Sequence, residues 1–352
     1  MKKMSALFFL IFLLIFAACS DKEASKEVEE PKDEPTDTEV ETEVEPEEIE
    51  YKNVFPLTGI KTNEPVNNRI VGVMINNHSS ARPQSGLSQA DIVYEILAEG
   101  PITRFIAFYH SETPEVVGPV RSAREYYGKL ANELNAIYVY HGAAAHVEQK
   151  ILSTGVDVLQ GMIYDNDQFL FKRESFRVAP HNSYLIYPNV YEVASQNGIA
   201  VEGDYEPYPF LEEEEVEALS GSPATEVEVI YFENQEEVLY EYDEVNEKYV
   251  RYSDGEKTVE YETEEPILLD NIFIVETAHA IIDDEGRRSV DLDSGGKGYL
   301  IRKGTVEEVT WENVDGRILP FQDGQPMKFV PGKTWINVVP TSPGIEQSVT
   351  IQ

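Results

Sequence analysis

Two neighbouring strands are encoded by the stretch Asp91-Ile-Val-Tyr-Glu-Ile-Leu-Ala-Glu-Gly-Pro-Ile-Thr-Arg-Phe-Ile-Ala-Phe-Tyr-His110. Its β-branched and aromatic side chains predict strands over residues 91–99 and 103–110. The glycine and proline between them indicate a tight turn. If these two residues form the loop of a hairpin, Leu97 faces Arg104, and Glu99 lies diagonal to Arg104 on the same side.

Outward from this hairpin, strand and helix patterns alternate. Strand-like runs cover residues 69–77 and 136–141. The clearest helix is predicted to start at Ser122, because Ser122-Ala-Arg-Glu125 fits a capping box and apolar residues at helical spacing follow it. Weaker helix patterns cover residues 143–152 and 189–196. Such alternation is typical of a layered α/β domain.

The composition changes near Asp204, where two prolines and an acidic run over residues 212–215 interrupt both periodicities. Beyond it, short β-rich runs alternate with turn signals, and helix signals are almost absent. These runs cover residues 226–232, 237–242, 248–252, 272–276, 298–302, 306–311 and 335–339. We therefore predict an α+β chain of two domains. A layered α/β domain with the candidate site covers residues 51–203, and a mainly antiparallel β-rich domain covers residues 204–352.

The N-terminus has the pattern of a lipoprotein signal peptide over residues 1–18. An apolar run over residues 7–16 is too short to span a bilayer, since a spanning helix needs about 20 apolar residues. The run ends in Phe16-Ala-Ala-Cys19, which is similar to a bacterial lipobox, although an aliphatic residue usually stands in the place of Phe16. Cys19 is the only cysteine of the chain, so we predict lipidation at Cys19 and no disulfide. A diacylglyceryl group there would anchor the chain at the outer face of the cytoplasmic membrane.

Residues 19–50 are predicted to form a disordered acidic tether. From residue 20 to residue 50 there are 15 acidic residues and 3 lysines, and such a segment cannot bury enough apolar surface to fold. Its repelling charges extend it and lift the folded part off the membrane. The whole chain has a formal net charge of −37, which argues against binding to nucleic acid or to anionic lipid.

Long polar motifs interrupt the predicted elements. They include Arg82-Pro-Gln-Ser-Gly-Leu-Ser-Gln-Ala-Asp91, Gly118-Pro-Val-Arg-Ser-Ala-Arg124 and Ala179-Pro-His-Asn182, followed by Gly298-Tyr-Leu-Ile-Arg302 and Pro331-Gly-Lys-Thr-Trp335. Through these motifs, the chain resembles the YerB-like lipoproteins of Bacillus and related Gram-positive bacteria. The resemblance covers nearly everything after the tether. The resemblance implies an envelope lipoprotein, and it says more about location than about chemistry.

Glu95 and Glu99 are the candidate catalytic carboxylates. On one strand they share a face and lie about 13 Å apart, whereas the two acids of a glycosidase lie roughly 5 to 9.5 Å apart. A two-carboxylate glycosidase is therefore excluded, but a single acid acting alone, as in lytic transglycosylases, stays open. The alternative for either residue is a simple structural ion pair.

Four arginines stand out in so acidic a chain: Arg82, Arg104, Arg121 and Arg124. Arg121 and Arg124 flank Ser122, where the free N–H groups of a helix start favour anions. We predict that these residues bind an anion or a sugar carboxylate. The alternative is that they pair with the abundant acidic residues.

A polar loop after Pro180 supplies two further candidates. His181 is a candidate catalytic acid or base, because the imidazole titrates near neutral pH. Asn182 is a candidate ligand-binding residue beside it. The alternative is that both only satisfy hydrogen bonds of an ordered loop.

The sequence predicts no metal site and no cofactor, since zinc motifs, a complete EF-hand loop, a phosphate loop and a dinucleotide fingerprint are missing. Two functions stay open. The protein is either a lytic transglycosylase-like enzyme that cleaves peptidoglycan glycan strands, or a noncatalytic adaptor or regulator that binds a wall polymer or an envelope protein. A solute-binding lipoprotein fits less well, because only one α/β lobe is predicted.

Overall fold

The structure is a computed structural model that describes residues 50–232 and 235–352. The predicted signal peptide, the lipidation site at Cys19 and nearly all of the acidic tether lie outside the described residues. In the part of the chain that the structure describes, no helix is both long and apolar enough to cross a membrane.

The first half of the described chain alternates strands with short helices. Its strands are β1 (Asn53–Val54), β2 (Lys61–Thr62), β3 (Val71–Asn76), β4 (Ile92–Glu99), β5 (Ile102–Tyr109), β6 (Val116–Val117), β7 (Ile137–Tyr140), β8 (Val158–Gln160), β9 (Phe171–Arg173) and β10 (Ser183–Ile186). Its α-helices are α1 (Glu125–Glu133), α2 (Ala145–Ser153) and α3 (Val190–Gln196), and single 3-10 turns cover Ser79–Ala81, Leu87–Gln89 and Tyr187–Asn189.

The second half is almost entirely β-structure. Its strands are β11 (Ser222–Pro223), β12 (Glu226–Phe232), β13 (Gln235–Asp243), β14 (Lys248–Ser253), β15 (Glu256–Lys257), β16 (Leu268–Leu269), β17 (Asn271–Thr277), β18 (His279–Ile281), β19 (Arg288–Val290), β20 (Gly296–Arg302), β21 (Thr305–Val314), β22 (Arg317–Gln322), β23 (Gln325–Pro326), β24 (Thr334–Pro340) and β25 (Val349–Ile351). Two short helices, α4 (Glu213–Glu217) and α5 (Ile345–Ser348), belong to this half. These elements confirm the predicted α+β class.

One twelve-stranded sheet contains strands of both halves. Its order is β23-β22-β21-β20-β17-β24-β4-β5-β3-β7-β8, with β11 paired to β21. The halves meet where β24 runs parallel to β4, with Trp335 opposite Val93. The central strands β3, β4, β5 and β24 are buried along nearly their whole length, which explains why they are apolar runs without strict alternation.

The two faces of this sheet bury separate hydrophobic cores. On one face, Val93, Leu97 and Phe105 pack together with Trp335 and with apolar residues of the second, six-stranded sheet, whose order is β15-β14-β13-β12-β25. On the other face, Tyr94, Ile96 and Ile106 pack against α1 and α2. We call these the sheet face and the helix face.

The start of α1 differs from the prediction. The helix begins at Glu125 with Arg124 as its N-cap residue, and no side chain caps it, so the capping box predicted at Ser122 is wrong. The residues before the helix are instead extended, because the Arg121 N–H donates to the Met74 carbonyl and the Ala123 N–H donates to the Gly142 carbonyl. These backbone hydrogen bonds fix residues 121–123 against the sheet, so the helix begins only after them.

The hairpin between β4 and β5 also differs in register. Ile96 lies opposite Arg104, and Leu97 lies opposite Thr103, so the predicted pairing of Leu97 with Arg104 is wrong by one residue. The turn at Gly100 and Pro101 is as predicted, but a β-bulge between Leu97 and Glu99 adds one residue to β4. A bulge turns the following side chain to the other face of a sheet.

Candidate functional site

Glu95 points to the sheet face and is fully buried. Its carboxylate pairs with the equally buried Arg251 at 2.8 Å. It also accepts hydrogen bonds from the Trp335 indole at 2.9 Å and the Thr103 hydroxyl at 2.9 Å, with Asn77 at 3.3 Å. So many donors compensate the cost of burying an ionised carboxylate. The geometry gives Glu95 a structural role, because its oxygens face partners and not solvent.

Glu99 points to the helix face. One carboxylate oxygen accepts from the Arg104 guanidinium at 2.7 Å, and the other forms an ion pair with Arg124. The expected cross-strand partner of Glu99 is thus present, but the bulge puts Glu95 and Glu99 on opposite faces and not on the predicted common face. Two guanidinium groups favour the ionised carboxylate, whereas a general acid must carry a proton.

Arg104 and Arg124 are both buried and both engaged. Besides Glu99, Arg104 donates to the Ser122 carbonyl at 2.8 Å, and Arg124 donates to the Ala123 carbonyl. Burial lowers the pKa of each guanidinium from its ordinary value. These two predicted ligand-binding arginines therefore hold the chain before α1 against the β4–β5 hairpin.

Arg82 is the third engaged arginine. It donates to the Asn77 carbonyl at 3.0 Å and pairs with Asp254 at 2.5 Å and with Glu236 at 3.5 Å. Asp254 and Glu236 belong to the part of the chain that forms the six-stranded sheet. Arg82 thus joins the two halves of the protein, and its charge is neutralised.

Arg121 differs from the other three. Among the described residues its guanidinium has no carboxylate partner and no hydrogen bond, although the side chain is half-buried. Burial, reinforced by the positive charge of Arg104, lowers the pKa of Arg121 to about 10, so it stays charged at neutral pH. An uncompensated cation beside a buried one is unusual in a chain with a net charge of −37.

His181 lies in the same electrostatic environment. Its Nδ1 atom is 2.8 Å from the Asn76 amide nitrogen, and its ring lies 4.8 Å from that of His78. Burial lowers the pKa of His181, and the neighbouring basic side chains of His78, Arg121 and Arg177 add to this effect. The imidazole is therefore neutral at pH 7 and could donate or accept one hydrogen bond.

His141 and Arg173 extend this group of basic side chains. His141 is 2.7 Å from the Ser183 hydroxyl, and burial together with the charges of Arg173 and Arg121 lowers its pKa. Arg173 pairs with Asp165 at 2.7 Å and donates to the Asn182 amide oxygen at 2.8 Å. Asn182 thus positions an arginine. We call Arg121, His141, Arg173, Arg177, His181 and His78 the basic surface.

Apolar side chains are exposed in the loops that carry the basic surface. Met162 is 62% exposed and lies near Gly142, which adjoins Ser122. Val178, whose carbonyl accepts from the His181 N–H, is 77% exposed. Phe176 stacks on Tyr261 with 4.8 Å between the ring centroids. Cationic, neutral hydrogen-bonding and apolar groups therefore occur together, as ligand sites require.

Several charged residues that the sequence analysis did not single out have unusual environments. Arg251 stacks over the Trp335 ring at 4.5 Å while it pairs with Glu95. Burial raises the pKa of Glu236 to about 7, although Arg82 opposes the shift. The only signal for Arg251 in the sequence is an arginine within a run of strand-forming residues, and that signal alone does not reveal its partner.

Family models match both halves of the chain. The N-terminal domain described as "Protein of unknown function (DUF3048)" matches residues 57–200, and the C-terminal domain of the same description matches residues 227–336. A Bacillus subtilis protein named "Putative lipoprotein YerB" is 47% identical over 291 residues, which are 81% of this chain and 86% of that protein. The chain belongs to the YerB-like family.

The fold agrees with a solved member of the family. A crystal structure of the YerB protein from Bacillus subtilis superposes with a TM-score of 0.78 at 44% identity. The match covers 86% of this chain and all of that one. The predicted family is therefore confirmed. In the described ranges, no cluster of three or more potential metal-ligating side chains occurs.

Proposed function

We propose that the protein is a membrane-anchored lipoprotein on the extracytoplasmic face, and that its folded part binds peptidoglycan without cleaving it. The anchor is the predicted lipid on Cys19, in keeping with the lipoprotein name of its relative. The ligand groups are the carboxylates of the wall polymer, held at the basic surface. Exposed apolar side chains in the same loops would pack against sugar rings.

The observation that carries the proposal is the unpaired charge of Arg121. A guanidinium is only weakly hydrated and is suited to ion pairs, so a half-buried one gains most from a carboxylate that approaches with matching geometry. His181 and His141 flank it in neutral form. A bound anion would favour their protonated forms, so binding adds two further favourable interactions.

The noncatalytic function is favoured over a lytic transglycosylase because neither predicted acid is free. Glu95 is buried in its ion pair with Arg251, and Glu99 is shared by Arg104 and Arg124. His181 remains as a candidate acid or base, but none of the described residues that contact its ring carries a carboxylate. Binding without cleavage requires no free carboxylic acid, and the positive charges of the basic surface suffice for it.

The binding proposal can be tested by cosedimentation with purified peptidoglycan. We expect the full-length chain, kept in detergent, to sediment with intact peptidoglycan and to lose affinity when the peptidoglycan carboxylates are converted to amides. Arg121→Gln should weaken binding about tenfold, as for the loss of one charge-assisted contact. Arg317→Gln is the matched control, because within the described residues the Arg317 guanidinium forms hydrogen bonds only with the backbone carbonyls of residues 206 and 207.

Two results would contradict the proposal. Equal binding by wild type and Arg121→Gln would show that the basic surface does not contribute to peptidoglycan binding. Release of muropeptides with anhydro-sugar ends by the wild type would restore the enzymatic function, and Glu99→Gln would then show whether that carboxylate is its acid.

The anchor has its own test. In cells, we expect the wild type in the membrane fraction and Cys19→Ser in the soluble fraction, since a diacylglyceryl group is the proposed attachment. Metabolic labelling with a radioactive fatty acid should mark the wild type alone. A Cys19→Ser variant that stays in the membrane fraction at wild-type levels would contradict the anchor.

A further inference from the structure

A cavity lies apart from the basic surface, beside the tip of the β4–β5 hairpin. Its volume is about 750 Å³, which is within the usual range of small-molecule sites. The hairpin of β18 and β19 forms one wall, and the turn after β24 forms another. Residues that line it include Leu97, Tyr231, His279, Arg288, Thr341 and Gln347.

His279 brings unsatisfied polar atoms to this cavity. Both ring nitrogens are buried, and within the described residues neither has a hydrogen-bond partner. Buried polar atoms without partners are rare, because each forfeits its hydration without compensation. Burial, reinforced by the charge of Arg288, lowers the pKa of His279 to about 4, so the ring is neutral at physiological pH.

Arg288 brings an uncompensated charge. It donates one hydrogen bond, to the Gly100 carbonyl at 2.9 Å, and its Nε atom is buried without a partner. In the described chain it forms no ion pair. The neighbouring Arg287, in contrast, pairs with Asp283 at 2.7 Å and with Glu285 at 3.4 Å. In the described chain, Arg287 is therefore paired with carboxylates, whereas the adjacent Arg288 is not.

We propose that this cavity binds a small organic carboxylate with an apolar body. Arg288 would receive the carboxylate, as guanidinium groups commonly do. His279 would form a hydrogen bond with the same group or with a polar substituent next to it. Leu97, Ile230 and Pro343 supply the apolar wall for the remainder of the ligand. This site is independent of peptidoglycan binding at the basic surface.

The test uses hexanoate as the probe and the six histidines of the chain as reporters. The full-length chain, labelled with carbon-13 at histidine Cε1 and kept in a zwitterionic detergent, is titrated by NMR. The His279 resonance is assigned by its loss in His279→Gln. We expect hexanoate at roughly millimolar concentration to shift this resonance, as for a fragment-sized ligand. Hexanol and hexylamine, which partition into the detergent but carry no carboxylate, should leave it unchanged.

Variants separate a specific site from general anion binding. Arg288→Gln should weaken the response to hexanoate about tenfold. Arg287→Gln, whose arginine is already paired, should respond as the wild type does. A His279 resonance that does not move with hexanoate, or that moves equally in the wild type and Arg288→Gln, would overturn the proposal. The histidines of the basic surface are read in the same spectra, so the two sites are distinguished.

Discussion

Arg251 and Glu95 form an ion pair in which neither partner reaches solvent. Removing one member of such a pair leaves a buried charge and typically costs about 3–5 kcal/mol. We expect Arg251→Met to lower the free energy of unfolding by that amount, measured by urea denaturation. Combining it with Glu95→Gln should recover part of the loss, because the orphaned charge is then absent. A loss below about 1 kcal/mol in the single variant would contradict this account.

Glu236 makes stability depend on pH. Its pKa is raised by burial from 4.5 to about 7, so the folded protein binds a proton that the unfolded chain has already released. This contribution is fully present below pH 4.5 and is lost as the pH rises to about 7. Over that window we expect the wild type to lose on the order of 1–3 kcal/mol relative to Glu236→Gln.

The measurement for Glu236 is the free energy of unfolding at several pH values. Glu237→Gln is the matched control, since Glu237 is exposed. Burial also raises the pKa of Asp91 to about 6, but Asp91 is present in every variant and cancels in the comparison. Parallel pH profiles for the wild type and Glu236→Gln would rule out the raised pKa.

At the scale of residues, the sequence identified charged groups but not their partners. Arg104, Arg121 and Arg124 were singled out because they lie close together in so acidic a chain, and only the folded structure separates the unpaired Arg121 from the other two. Arg251 lies 156 residues after Glu95, and no local pattern connects them. Partner choice is a tertiary property.

At the scale of elements, the start of α1 allows a clear test. Ser122 does not cap the helix in the structure, so Ser122→Ala should change the free energy of unfolding by less than about 0.5 kcal/mol. Loss of a true N-cap serine costs about 1 kcal/mol. Chemical denaturation decides between the two values, and a loss of 1 kcal/mol or more would restore the capping box.

Several of the longer strands could be predicted, because their signals are local. Apolar and β-branched runs gave β3, β4, β5 and β7 to within two residues at each end. The bulge in β4 could not be predicted, since it depends on the pairing of Glu99 with Ile102 across the turn. That single extra residue decided which face Glu99 occupies and hence its partners.

At the scale of the whole molecule, the central sheet unites the two halves. Strand β24 lies between β4 and β17, and it is parallel to both. We expect a fragment of residues 51–203 to lack cooperative unfolding, because β4, which is buried along nearly its whole length, would become an unpaired edge. Circular dichroism during heating tests this. A sharp transition in the fragment would show that the first half folds alone.

The class of the fold was accessible from composition and periodicity, but the shared sheet was not. Sequence patterns place strands along the chain, whereas the order of strands in a sheet depends on contacts between distant residues. Trp335 and Val93, opposite each other in neighbouring strands, are separated by most of the folded chain. The predicted boundary near residue 204 therefore marks a change in composition along a chain whose two parts share one sheet.

The position of β24 near the carboxyl end also bears on the timing of folding. Chains emerge from the ribosome N-terminus first, and a strand that completes the core can pair only once it is available. Until residues 334–340 have been made, β4 and β17 have no common neighbour. The two halves can therefore join in the central sheet only late in synthesis, after β24 has been made.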